Sequence, residues 1–195
     1  MSNLPITHEQ ALILLKSMPN EEADINHYLE SEAIMRGLAE RFSEDQDYWG
    51  MLGLLHDVDW GLTKDNVQEH CIKSAQILKE KGFTDEFIEQ MQSHGYGFDL
   101  IPALKDKKRS KKIEYSLAAA ETLTGIIYSY ALMRGKKISD MDVSGLKKKF
   151  KDKRFAAGCN REIIKEIELT DLSLEEFFAI AIESMKKIKD QIGLT

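Results

Sequence analysis

The apolar positions along the chain recur at helical spacing, and no alternating strand pattern stands out. Capping signals support this reading, because a hydroxyl stands three residues before a Glu or Gln in the pairs Thr7–Gln10, Ser43–Gln46 and Ser173–Glu176. The pattern therefore predicts an all-α protein. The expected helices lie at about 8–18, 24–42, 44–57, 68–81, 85–94, 112–134, 143–151, 160–167 and 174–192.

No repeat or low-complexity linker divides the 195 residues, a length that suits one domain with a real core. We expect a single domain over residues 1–195, with a core at about 24–134 and a C-terminal helical extension at about 135–195. Two lysine-rich segments, "KDKKRSKK" (105–112) and "KKKFKDKR" (147–154), are predicted to be solvated loops and helix ends.

Composition narrows the class of protein. The hydrophobic fraction is 43% and the net charge is −6, which favours an ordinary soluble globule with neither a nucleic-acid polymer nor a membrane as partner. No apolar run is long enough to span a bilayer, so we expect a cytoplasmic protein, and a homodimer is compatible with this composition. Cys71 and Cys159 stand far apart and outside any CxxC motif, which excludes a disulfide framework or a thiolate zinc site.

Titratable side chains interrupt the apolar segment "GLLHDVDWG" (53–61), where His56 and Asp57 stand side by side. Buried polar groups are costly unless they find partners. A helix break near residues 41–43 lies about midway between His27 and His56, so an antiparallel hairpin would bring these two imidazoles together. Neutral imidazole and carboxylate are ligands for divalent transition metals, and the lack of a Cys ligand disfavours a closed structural zinc site.

The order His27, His56–Asp57, His70, His94 and then an acidic residue resembles the HD domain superfamily of metal-dependent phosphohydrolases. The segments "GLLHDVDW", "EHCIKSAQIL", "SHG" and "AAAETLTGII" are similar to the HDIG-type bacterial subgroup, and the likeness covers roughly residues 24–192. It implies a helical bundle with a metal site between core helices.

The resemblance also implies the ligand set. One ion would be held by His27, the His56–Asp57 pair and a later acid, and a second by His70 and His94, with Asp57 as the bridge. The cofactor would be one or two divalent ions of Mn, Fe, Zn, Co or Ni.

Two positions depart from the family pattern. Glu121 in "AETLTG" stands where the last acidic ligand is usually Asp. Its side chain is one methylene longer, so metal affinity depends on the helix lying further back or on the carboxylate binding in a different mode. Asp59 stands where HDIG proteins have Gly. It is either an acceptor for the N–H of a ligand histidine or a turn carboxylate.

We expect hydrolysis of a nucleotide or another small phosphoester, with Asp57 and Lys73 as catalytic residues and Lys73 and Arg161 as substrate contacts. Lys73 follows His70 by three residues and would share its helix face, although a surface role is the alternative. For Arg161 the alternative is an interhelical ion pair. Two rival functions remain. A di-iron oxygenase of the HD fold would use the same order of ligands, and a non-catalytic binding module would keep the fold alone.

Overall fold

The computed structural model describes residues 4–195, and within this range every regular element is helical, which confirms the all-α prediction. The first five α-helices are α1 (His8–Ser17), α2 (Glu22–Phe42), α3 (Gln46–Leu55), α4 (Trp60–Thr63) and α5 (Ile72–Glu80). The remaining five are α6 (Asp85–Gln92), α7 (Lys112–Met133), α8 (Val143–Lys151), α9 (Arg161–Lys165) and α10 (Leu174–Lys187). Short 3₁₀ helices occupy Val67–Glu69, Ser93–Gly95 and Glu166–Thr170.

The helix expected at 174–192 was too long, since α10 ends at Lys187. Two further predicted helices were too long at one end. The helix expected at 44–57 ends at Leu55, and the short helix α4 that follows it was not predicted. The helix expected at 68–81 begins only at Ile72, because His70 has extended ψ and Cys71 has a positive φ of 65°. Both corrections fall at the histidine-bearing segments, where the chain leaves helical geometry.

The helix caps agree with the sequence at two of three places. Thr7 and Ser173 each form the expected capping box. The third was wrong: Ser43 ends α2 in the left-handed conformation, and Asp45 caps α3 by accepting the backbone N–H groups of Asp47 and Tyr48. A left-handed residue suits a helix C-terminus, so the hydroxyl of Ser43 does not serve the following helix.

Helices α2 and α3 form the most extensive helix pair and run as the predicted antiparallel hairpin. Their close approach depends on Gly53, since a Cβ there would lie 2.7 Å from the backbone oxygen of Ser31. Helix α7 packs against α2 and is buried around most of its circumference, as expected for a central helix that is apolar on most faces.

The C-terminal helices complete the core. Helix α10 packs on α2, and α9 with the following 3₁₀ helix packs on α7, so one hydrophobic cluster draws residues from both stretches of the chain. None of the helices within residues 4–195 combines the length and apolar character needed to cross a bilayer.

Candidate metal centre

Four imidazoles meet in two close pairs at the centre of the bundle. His27 of α2 and His56, just after α3, bring their Nε2 atoms within 3.1 Å, which confirms the predicted meeting across the hairpin. His70, which precedes α5, and His94, in the Ser93–Gly95 helix, bring theirs within 3.2 Å. The resemblance to the HD family predicted the second pair of histidines, whereas helix spacing along the chain predicted only the first.

Asp57 stands between the two pairs. Its Oδ1 lies 3.1 Å from Nε2 of His94, 3.3 Å from that of His70 and 3.6 Å from that of His56. This oxygen is buried, yet it accepts no hydrogen bond of good geometry from residues 4–195. A buried carboxylate oxygen surrounded by ring nitrogens calls for a cation or protons between them.

The other ring nitrogen of each histidine has a fixed role. Nδ1 of His56 donates to the carbonyl of Gly53 at 2.8 Å, and Nδ1 of His94 donates to that of Met91 at 2.6 Å. Nδ1 of His70 donates to Oδ1 of Asp59 at 2.9 Å. Asp59 therefore accepts the N–H of His70, which agrees with the first of the two roles weighed for it.

His27 is oriented by a residue that the sequence did not single out for this purpose. Its Nδ1 lies 2.9 Å from Oγ1 of Thr124, and that hydroxyl donates its only hydrogen to the carbonyl of Glu121 at 2.6 Å. Thr124 must therefore accept the Nδ1–H of His27. All four histidines consequently direct Nε2 into the centre.

Burial and charge divide the histidines into two kinds. Burial lowers the pKa of His27, and it lowers the pKa of His56 to about 3, so both rings are neutral at neutral pH. Burial opposes protonation of His70 and His94, but Asp57 raises the pKa of His70 above the ordinary value, and Cys71 together with Asp57 raises that of His94. Burial opposes ionisation of Asp57, yet the neighbouring histidines hold its pKa well below the usual range.

The donor set fits divalent transition metals. Two nitrogens bound to one ion at about 2.1 Å lie about 3.0–3.4 Å apart for angles between octahedral and tetrahedral. Both Nε2 pairs have separations in this range, at 3.1 and 3.2 Å. His27, His56 and Asp57 form one group of converging donor atoms, and His70, His94 and Cys71 form a second.

Glu121 lies beside these groups without joining either of them, as far as residues 4–195 are concerned. Its Oε1 accepts the hydroxyl of Thr122 at 2.6 Å. Burial and the charge of Asp57 raise the pKa of Glu121 to about 7, against the opposing effect of His94. The carboxyl group is thus within electrostatic reach of the centre but is turned toward its own helix.

The two predicted substrate contacts differ in their surroundings. Lys73 is half-buried in the first turn of α5 and forms no hydrogen bond or ion pair with residues 4–195. The expectation that it shares a helix face with His70 was wrong, because α5 begins after His70.

Arg161 is buried and directs its guanidinium at backbone carbonyls, which is neither a phosphate contact nor an interhelical ion pair. Five N–H bonds saturate the group, so a phosphate contact would require these bonds to break. The acceptors are the carbonyls of Phe150, Asp152, Phe155, Ala156 and Cys159.

Arg109 is buried and binds the backbone of the segment that carries His94, although the lysine-rich segment that contains Arg109 was predicted to be solvated. Its side chain is 7% exposed and forms a two-bond ion pair with Glu166. Nη1 donates to the carbonyls of Ser93, His94 and Tyr96, the segment that carries the fourth histidine. The run of basic residues around Arg109 hid this role in the sequence.

Comparison with known protein families agrees with this geometry. The model of the HD domain matches residues 24–130, which include every histidine of the centre and Glu121. No curated protein and no solved structure gave a significant match to the chain.

Proposed function

Because the chain belongs to the HD domain family, a family of metal-dependent phosphohydrolases, we propose that it hydrolyses a nucleotide or another small phosphoester. The observation that carries the proposal is the convergence of the two Nε2 pairs on one buried, unsatisfied oxygen of Asp57. Such an arrangement is costly in a core unless cations occupy it, so a site of this kind indicates function. The segments "GLLHDVDW" and "SHG" support a finer assignment to the HDIG-type subgroup.

We assign each residue a role from its place in the centre. His27, His56 and Asp57 would hold the first ion, and His70 and His94 the second, with Asp57 shared between them. Glu121 would join the first ion by turning away from Thr122. Ions of Mn, Fe, Zn, Co or Ni suit these ligands, and a bound ion supplies a Lewis acid that lowers the pKa of water and polarises a phosphoryl oxygen.

The chain's own residues prepare the site for an anionic substrate. The side chain of Asp57 is 16% exposed, so the centre is reachable from solvent. Lys73 is half-buried near His70 and has no partner within residues 4–195 that would compete for its ammonium group. We assign Lys73 as the phosphate contact, since a cation beside a phosphoryl group stabilises the negative charge that develops on its oxygens.

The function is tested with a panel of substrates and metals. Nucleoside mono-, di- and triphosphates, cyclic dinucleotides and a chromogenic phosphodiester are assayed with Mn, Co, Mg and Fe, under air and under argon. We expect metal-dependent phosphate or nucleoside release that is indifferent to oxygen. Turnover only with Fe and only in air would establish an oxygenase instead, and metal binding with no turnover of any substrate would favour a binding module.

Lys73 is tested separately. Lys73→Gln should raise KM for the phosphorylated substrate while metal content stays unchanged, because the side chain contacts phosphate and holds no ion. The matched control is Lys79→Gln on the same helix, whose ammonium is exposed and pairs with Asp85. Equal KM values for the two variants would remove Lys73 from the substrate site.

A further inference from the structure

A cysteine that the HD pattern does not call for lies inside the candidate centre. Cys71 is fully buried, and its Sγ is 3.5 Å from Nε2 of His94. Its Sγ and the donor nitrogens of His70 and His94 all lie within 4.8 Å of one another. Three donor atoms of types that bind transition metals therefore lie close together.

The backbone is strained at the residue that brings this sulfur inward. Cys71 has φ 65° and ψ −29°, a conformation that a side chain with a Cβ rarely adopts. On a regular helix the side chains of adjacent residues such as His70 and Cys71 diverge, so their convergence requires this break. Non-glycine residues with such strain cluster at functional sites, where the surrounding structure holds them in place.

Space for the sulfur is provided by a glycine in the facing segment. A Cβ at Gly95 would lie 2.9 Å from Sγ of Cys71. Gly95 directly follows His94, so the segment that supplies one imidazole also leaves room for the thiol. Packing alone does not explain the direction of Sγ, since it approaches Nε2 of His94, the ring nitrogen that faces the centre.

The separations match those of ligands on a single ion. A sulfur at about 2.3 Å and a nitrogen at about 2.1 Å from one ion lie about 3.1–3.6 Å apart for angles between octahedral and tetrahedral. The Sγ–Nε2 distance of 3.5 Å and the Nε2–Nε2 distance of 3.2 Å both fall in the expected ranges. Oδ1 of Asp57, close to both imidazoles, adds a fourth donor atom.

We propose that Cys71 is a ligand of the second metal ion, together with His70, His94 and Asp57. The two ions then differ in character. A set of four protein donors that includes thiolate closes the coordination shell and selects ions with affinity for sulfur, such as Zn, Co or Fe, over Mn or Mg. The first ion, on His27, His56 and Asp57 with Glu121 as a further donor, has no thiolate ligand. The inference rests on the metal centre of the proposed function and not on its substrate.

Cobalt spectroscopy tests the assignment without any turnover. Chelator-treated, reduced protein is titrated with Co²⁺ without oxygen, and the near-ultraviolet thiolate-to-cobalt band is recorded. The wild-type protein should develop this band as the second site fills. Cys71→Ser should lose it and bind the second ion about 10–100-fold more weakly, if the loss resembles that of a supporting group. Cys159→Ser is the matched control and should keep it.

Cys71→Gly separates ligation from folding, because glycine tolerates the positive φ. This variant should keep its folded circular-dichroism spectrum and still lose the band. A wild-type protein that binds cobalt without the band, or a Cys71→Ser variant with an unchanged spectrum, would overturn the proposal. A wild-type protein that binds no cobalt would overturn the metal centre as well. A band in a protein inactive on every phosphoester would uphold this inference and count against the proposed function alone.

Discussion

Asp59 holds His70 through a hydrogen bond of 2.9 Å from Nδ1 to Oδ1, and its other oxygen accepts the backbone N–H of Ser74 at 3.0 Å. Asp59 is completely buried, so both acceptors are used inside the protein. The carboxylate thereby fixes the ring of His70 and ties it to the first turn of α5.

Replacing this carboxylate should weaken one ion selectively. Asp59→Asn keeps the shape of the side chain, but its amide N–H₂ would face either Nδ1–H of His70 or the backbone N–H of Ser74, both of which are donors. His70 would then be held less firmly, so the second ion should bind about 10–100-fold more weakly. Thr124→Val is the matched variant, because it removes the acceptor of His27 and should weaken the first ion instead. Competition with a chromophoric chelator measures both affinities. Equal losses at both ions in both variants would contradict the division of the centre into two sites.

The position of Glu121 predicts how the first ion responds to its loss. The Glu121 carboxyl is turned toward Thr122 and must reorient to reach the centre. Glu121→Ala should bind the first ion more weakly than the parent. Glu121→Asp restores the residue usual in the family and should bind this ion at least as tightly as the parent. Thr122→Val serves as the control, since it frees the carboxylate and should cost no affinity. Unchanged metal binding in Glu121→Ala would place Glu121 outside the coordination shell.

Metal affinity should depend on pH differently at the two ions. Asp57 helps to raise the pKa of His70 and His94, so at neutral pH these rings hold protons that the second ion must displace. Its apparent affinity should increase with pH, by up to about tenfold per unit for each displaced proton. His27 and His56 have lowered pKa values, so these rings release no protons to the first ion, and only Glu121, whose pKa is raised to about 7, adds a smaller pH dependence there. Calorimetry in buffers of different ionisation enthalpy counts the protons released as each ion binds. More protons released at the first ion than at the second would contradict the account.

A buried carboxyl on α2 predicts a pH-dependent stability. Burial raises the pKa of Glu30 from 4.5 to about 8, and its Oε1 has no partner within residues 4–195. The folded state therefore holds the proton more tightly than the unfolded state, and stability is lost as the pH rises from about 4.5 to about 8.

Glu30→Gln should abolish that loss. Relative to the parent, the variant should gain up to a few kcal/mol of unfolding free energy at about pH 8 and much less at about pH 5. Urea denaturation of the metal-free proteins across this range measures the difference. A constant offset at all pH values would show that Glu30 does not titrate in this way.

The sequence predicted the α2–α3 hairpin because helical periodicity and the distances of His27 and His56 from the turn are local properties. The resemblance to the HD family then supplied His70 and His94. Neither source indicated Cys71, since neighbours in a continuous helix diverge and the break at this residue has no signature in the sequence. Thr124 was missed for a related reason, because a mid-helix hydroxyl reveals its partner only once α2 and α7 are packed together.

Elemental analysis of wild-type protein and Asp57→Ala, both purified without chelator, tests the central claim most directly. Asp57 lies within hydrogen-bonding distance of imidazoles from the second pair and close to His56 of the first. The account predicts about two transition-metal ions per wild-type chain. It predicts one ion or fewer in Asp57→Ala, because the first site would lose the carboxylate that lies between the two histidine pairs and would keep only His27, His56 and a reoriented Glu121. Wild-type protein without metal after growth with Mn, Fe or Zn, or an Asp57→Ala variant that keeps both ions, would contradict it.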